Sequence, residues 1–229
     1  MRALNEKDHA DILICFYDAL VQERGRQGGE EIFYLCERTY GARRGRRMAM
    51  KALRDGYPLD YTSYFDYGEL LSTPGGYEGS FEYRDGCVYE TQHKCPWATA
   101  FAADGGMDTA RCYCKEIDED IVRGFNPRLG FESPQNMHEK GECRFYFYGP
   151  EIKAGREEGR LAPQEKKKYS MTYHTADVYD VFCRLCEQIM GRAFVAAVNG
   201  RIEAMLGEEG MQTLKAWEGF DFERIDNQK

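Results

Sequence analysis

Most of the side chains able to do chemistry are gathered between residues 93 and 143. This stretch carries His93-Lys94-Cys95-Pro96, the pair Cys114 and Asp118, then Asn126 and Cys143. Cys95 stands where a strand is expected to give way to a helix. Pro96 suits the first helical position, which needs no N–H donor. A thiol at a helix N-terminus feels the positive end of the helix dipole, and this favours the thiolate. Cys114 and Asp118 are four residues apart and so share a helix face. Cys143 opens a strand that the topology places near that helix. Three thiols and a carboxylate are therefore expected beside one sheet, with His93 close by.

Two chemistries fit such a cluster. In one, the Cys95 thiolate attacks an electrophilic carbon while Asp118 or His93 holds a proton. In the other, Cys95, Cys114, Cys143 and His93 bind a soft metal such as zinc. Nothing in the sequence requires a metal or a cofactor, and none of these cysteines has C-x-x-C spacing. The bland alternative is that the thiols are core residues, as unpaired cysteines commonly are. Tyr113, Phe125, Phe145 and Phe147 supply aromatic lining, and Asn126 a hydrogen-bonding amide for a bound small molecule. His174 precedes the last long helix, where it either reaches a pocket or caps the surface. The one C-x-x-C, Cys183 to Cys186, lies inside an amphipathic helix and reads as core, because a redox or zinc site wants the turn before a helix.

The elements that must position these groups follow from periodicity. Ile12, Leu13, Cys15, Phe16, Ala19 and Leu20 recur at helical spacing, as do Ile32, Phe33, Leu35, Cys36 and Tyr40, with a polar break from Arg24 to Gly29. The Tyr-rich stretch from Asp55 to Gly79 reads as an ordered connection with turns. Gly79 to Arg84 alternates apolar and polar residues, and so does Cys87 to His93. Asp85-Gly86 between them is a strong hairpin signal. A helical stretch runs from Pro96 to Phe125 with a break at Asp104 to Gly106. Two strands follow, near Arg128 to Glu132 and at Cys143 to Tyr148. Ala154 to Lys168 is a charge-rich surface loop. A long helix starts near Thr175, and the tail after Gly207 adds a short one. The order predicts an α+β fold. An antiparallel four-stranded sheet (β-β-α-β-β) is packed with N-terminal and C-terminal helices. A single domain over 1–229 is expected, with a helical part at 1–55 and an α+β core at 78–206.

Composition sets limits. The 229 residues carry a formal charge of −8, which disfavours general nucleic-acid binding. The 42% hydrophobic content is enough to bury a core. No apolar run approaches the ~18 residues of a membrane span. No apolar signal region follows Met1, so a cytoplasmic location is expected, with the nine cysteines reduced. Arg38 to Arg54 holds Arg38, Arg43, Arg44, Arg46, Arg47, Lys51 and Arg54 with no acid between them. This run reads first as a solvated helix face, second as a carboxylate or phosphate binder, and last as a DNA contact. The expected partner is a small molecule, without nucleic acid or membrane, and a homodimer is left open.

Read together, His93-Lys94-Cys95-Pro96, Cys114-x-x-x-Asp118, Gly124-Phe125-Asn126-Pro127 and Gly141-x-Cys143-x-Phe145 resemble the L-2-amino-thiazoline-4-carboxylic acid hydrolase-like family. Tyr173-His174-Thr175 and Gly191-Arg192-Ala193-Phe194 are similar to its C-terminal part. The resemblance covers roughly residues 30–205 and implies a hydrolase opening a small cyclic amidine by water at a carbon–nitrogen bond. In that reading Cys95 is nucleophile or metal ligand and Asp118 carries the proton. His93, Cys114 and Cys143 line the site. A looser likeness, at the level of fold, is to vinyl-reductase-type small-molecule-binding domains. The alternative function is a non-catalytic small-molecule or metal-binding sensor.

Overall fold

The computed structural model describes residues 1–71, 73–149, 152 and 168–225. Among them are seven helices: α1 (Glu6–Arg54), α2 (Tyr61–Asp66), α3 (Pro96–Ala103), α4 (Met107–Phe125), α5 (Met137–Lys140), α6 (Met171–Met190) and α7 (Arg192–Lys215). Four strands accompany them: β1 (Glu78–Arg84), β2 (Cys87–Lys94), β3 (Gly130–Gln135) and β4 (Cys143–Tyr148). The strands form one antiparallel sheet in the order β1-β2-β4-β3, so the α+β expectation holds. The charge-rich loop expected from 154 falls, up to residue 167, outside the described residues.

Two compact units are formed, each discontinuous in sequence. The helical unit comprises Met1–Tyr40, Pro96–Glu116 and Tyr169–Phe220; the sheet unit comprises Gly41–Cys95, Ile117–Lys168 and Asp221–Lys229. The boundaries between the units run through α1 and α4.

The expected breaks occur where backbone demands them. Gly25 leaves helical geometry inside α1, with φ 70° and ψ 170°. Asp85 and Gly86 both take positive φ, as a type I′ hairpin requires, and they join Arg84 to its partner Cys87. The long C-terminal helix is two helices, divided at Gly191. In the helical unit, Phe16, Phe33 and Phe182 pack ring against ring at 5.1–5.2 Å. Cys186 is fully buried there, its sulfur 4.0 Å from that of Cys36, while Cys183 is half-buried. The core reading of the C-x-x-C thus holds for Cys186 alone.

In the sheet unit, the end of α1 lies against α4. A Cβ on Gly45 would enter the backbone at Ile121, Gly124 and Phe125, and one on Gly124 would meet Ala42. Small residues are what allow this approach. Most of the basic run sits here, and it is only partly a solvated face: Arg38, Arg46 and Arg54 are exposed, while Arg43 and Arg47 are buried. Arg47 is fully buried and donates to both carboxylate oxygens of buried Glu69, the shortest contact being 2.8 Å, and to the Phe222 carbonyl at 3.0 Å. Lys51 reaches the same carboxylate at 3.1 Å. Arg43 lies over the Phe222 ring at 5.3 Å. Burying that many cations requires pairing, because an unpaired charge in the interior is costly.

Candidate functional site

Strand alternation decides which side chains meet. Residues directly opposite in an antiparallel pair share a face. Val88 is opposite Phe147, Glu90 opposite Phe145, and Gln92 opposite Cys143. One face of β2 and β4 therefore carries Glu90 and Cys143 among Val88, Phe145 and Phe147. Phe131 of β3 joins them, 4.9 Å from the Phe147 ring. The short helix α2, unread in the Tyr-rich stretch, adds Tyr61 at 5.0 Å and Tyr64 at 5.7 Å from Phe147. Asp60 caps it by accepting from the Ser63 N–H at 2.7 Å. Tyr64 also meets Phe125, the last residue of α4, at 5.6 Å.

Asp118 on α4 supplies the acid of this cluster. It keeps a little solvent-accessible surface, yet protein surrounds it on most sides. Burial pushes its carboxyl up to about 6, with the Arg44 guanidinium pulling the other way. Glu90 is pushed up to about 7, first by burial and then by the charge of Asp118. Burial and the Asp118 charge push the Tyr64 phenol up as well, against Arg44. The Cys143 thiol is held up at about 12. Burial is the main cause, Asp118, Cys95 and Glu90 add to it, and an N–H from Met137 at 3.3 Å opposes it. In the sheet unit the charge of Asp118 thus bears on Glu90, Tyr64 and Cys143, Arg44 bears on Asp118 and Tyr64, and Cys95 bears on Cys143. Carboxyls that titrate near neutrality can give and take protons at physiological pH.

Cys95, half-buried, ends the β2 connection immediately before α3. His93 does not join the cluster. The β1–β2 register slips at His93, because Gly79 pairs with Gln92 and Glu78 with Lys94. Its ring is about half exposed and its Nδ1 lies 3.3 Å from Glu142 Oε2. Asn126 is spent on backbone: its amide donates to the Leu59 carbonyl at 2.6 Å, and its oxygen accepts from the Arg128 N–H at 3.0 Å. It ties the Tyr-rich connection to the end of α4 instead of presenting its amide to a ligand.

Tyr113, Cys114 and His174 belong to the helical unit. Cys114 is half-buried one turn before Asp118 on α4. Tyr113 is buried with its hydroxyl 3.4 Å from His9 Nε2. His174 is buried on α6, where its carbonyl accepts from the Tyr40 hydroxyl at 3.5 Å and its ring meets Tyr169 and Tyr173. Both lie on inward stripes of their helices, so they serve the interior. Among the described residues no group of three or more His, Cys, Asp or Glu is placed to hold a metal ion, and the four-ligand zinc arrangement is not formed. Glu90 was not singled out from the sequence, while Arg44 and Tyr64 figured there only as members of the basic run and of the Tyr-rich stretch. Alternation from Val88 through Glu90 to Gln92, read against Cys143, is the signal that finds Glu90.

The family model of L-2-amino-thiazoline-4-carboxylic acid hydrolase matches residues 5–147. The chain belongs to this hydrolase family. The match spans α1 through nearly all of β4, and so takes in Glu90, Cys95, Asp118 and Cys143. No curated protein and no solved structure matches the chain. Among the described residues no helix is long and apolar enough to cross a membrane.

Proposed function

We propose that this chain is a hydrolase that opens a small cyclic amidine at a carbon–nitrogen bond, with Cys95 and Asp118 as its reacting groups. The observation that carries the reading is the pair of carboxyls, Asp118 near 6 and Glu90 near 7, clustered with Cys143 in a chain of the hydrolase family. A cyclic amidine is basic and binds as a cation, which suits two carboxyls sharing one region. The amidine carbon lies between heteroatoms and is electron-poor, so a sulfur nucleophile can add to it.

The steps balance as follows. The Cys95 sulfur bonds to the amidine carbon, and its thiol proton passes to the Asp118 carboxylate. The carbon–nitrogen ring bond breaks, and the ring nitrogen leaves as an amine carrying the proton from Asp118. Water then adds to the same carbon, giving one proton to Asp118. The carbon–sulfur bond to Cys95 breaks as the carbonyl forms, Asp118 returns its proton to the sulfur, and the remaining hydroxyl proton passes to the released amine. The net change is substrate plus one water. Glu90 holds the cationic ring beside Asp118, and the neutral Cys143 thiol packs against them.

The test is mass-spectrometric detection of the ring-opened product from L-2-amino-thiazoline-4-carboxylate, with wild type and Cys95→Ser. Product from wild type and a loss of about 10²-fold or more in the variant support the reading. Binding without any turnover would favour the sensor, and turnover that survives Cys95→Ser would remove the nucleophile.

A further inference from the structure

Among the described residues β1 is the terminal strand of its sheet, and all seven of its residues, Glu78 to Arg84, are exposed. Edge strands are usually blunted by proline, lysine or irregularity. The opposite edge follows that rule: β3 contains Pro134, and its register slips between Glu132 and Gln135. β1 contains neither Pro nor Lys, and its one register slip against β2 falls at its first residue, between Glu78 and Gly79. It displays Phe81 at 59% and Tyr83 at 49% exposure, with Phe65 of α2 at 40% and 5.7 Å from Phe81. Hydrophobic surface beside an open ladder of backbone donors and acceptors is suited to receive another strand.

The sequence of β1 names the occupant. Glu78-Gly-Ser-Phe81-Glu-Tyr-Arg84 is arranged so that an antiparallel copy centred on Phe81 sets Glu78 opposite Arg84 at both ends. Phe81 then meets Phe81, Ser80 meets Glu82 and Gly79 meets Tyr83. Unlike charges pair at the ends and apolar rings pair at the centre, which is the self-complementarity an isologous two-fold contact needs. Within the chain Glu78 pairs loosely with Lys94 at 3.7 Å, and Arg84 reaches Glu82 at 3.6 Å and Asp85 at 3.8 Å and lies over the Tyr89 ring at 4.6 Å. We infer that β1 pairs antiparallel with β1 of a second copy of this chain, about a two-fold axis at Phe81, joining two four-stranded sheets into one of eight strands. The inference stands independently of the hydrolase reading.

Sedimentation of the full-length chain across micromolar concentrations tests it, with circular dichroism confirming that each variant is folded. Wild type is expected to be a reversible dimer and Phe81→Glu, which sets two carboxylates on the axis, a monomer. Glu78→Arg and Arg84→Glu each turn two attractive pairs into repulsive ones, and each is expected to weaken the dimer by about tenfold. The double variant Glu78→Arg/Arg84→Glu restores both pairs and returns the affinity to within about threefold of wild type. A monomer at every concentration overturns the inference. So does a dimer whose affinity ignores the three single variants, because another surface would then form it.

Discussion

Asp118 on α4 and Glu90 on β2 are coupled: the charge of the first pushes the carboxyl of the second further up, beyond what burial alone does. Burial is also the main reason that Asp118 titrates near 6. Neither carboxyl is an ordinary surface acid, and their coupling has consequences for stability as well as for chemistry.

The folded protein holds both groups protonated to higher pH than the unfolded chain does. Between about pH 4 and pH 7 the unfolded state has released these protons while the folded state keeps them. The stability they contribute is full below the ordinary carboxylate range and is lost as pH rises through 6 and 7. Glu90→Gln and Asp118→Asn should each therefore stabilise the chain at pH 8, by about 1–2 kcal/mol relative to their effect at pH 4. Urea denaturation at the two pH values checks this, and an equal effect at both would contradict it.

Arg47 and Glu69 behave in the opposite sense. Both side chains are fully buried, and Glu69 is held below the usual carboxylate range by Arg47 and Lys51 despite its burial. Arg47→Met takes the two-pronged partner from the buried carboxylate while Lys51 stays at 3.1 Å, and should cost about 3 kcal/mol. Arg47→Met with Glu69→Met should recover most of that loss. Denaturation of the two variants measures the difference.

The glycines separate a packing requirement from a propensity cost. Gly45→Ala drives a methyl into the α4 backbone and should destabilise by about 1–3 kcal/mol. Gly200, inside α7, has open space where its Cβ would be. Gly200→Ala should stabilise by about 0.5–1 kcal/mol. Melting curves of both variants give the two signs directly.

The Cys143 thiol, held up at about 12 by burial and nearby carboxylates, should resist alkylation. Peptide mapping after brief iodoacetamide treatment at pH 8 should leave Cys143 unmodified in the folded chain and label it in urea. Rapid labelling in the folded chain would contradict that electrostatic picture.

How much of this was legible depends on whether the cause is local. The hairpin at Asp85-Gly86 and the break at Gly25 are written in residues that take positive φ, and they were readable. That Cys143 opens a strand was readable, and once its pairing with β2 is known, alternation along β2 reveals Glu90. His93 lies next to the cluster in sequence, but alternation sets it on the face of β2 opposite Glu90 and Gln92. Arg47 and Arg43 read as surface charge because their partners, Glu69 and Phe222, lie far away in sequence. Asn126 looked like a ligand for a substrate, but the carbonyl that occupies it belongs to Leu59, across a connection whose short helix had no strong period.

The most direct test of the central claim is the ring-opening rate of Asp118→Asn against wild type at pH 7, with L-2-amino-thiazoline-4-carboxylate as substrate. Proton transfer by a positioned carboxyl contributes about 10²–10⁴-fold, so a loss of that size with the fold intact is the expected result. Undiminished turnover in Asp118→Asn, or no turnover by the wild-type chain, would contradict the account.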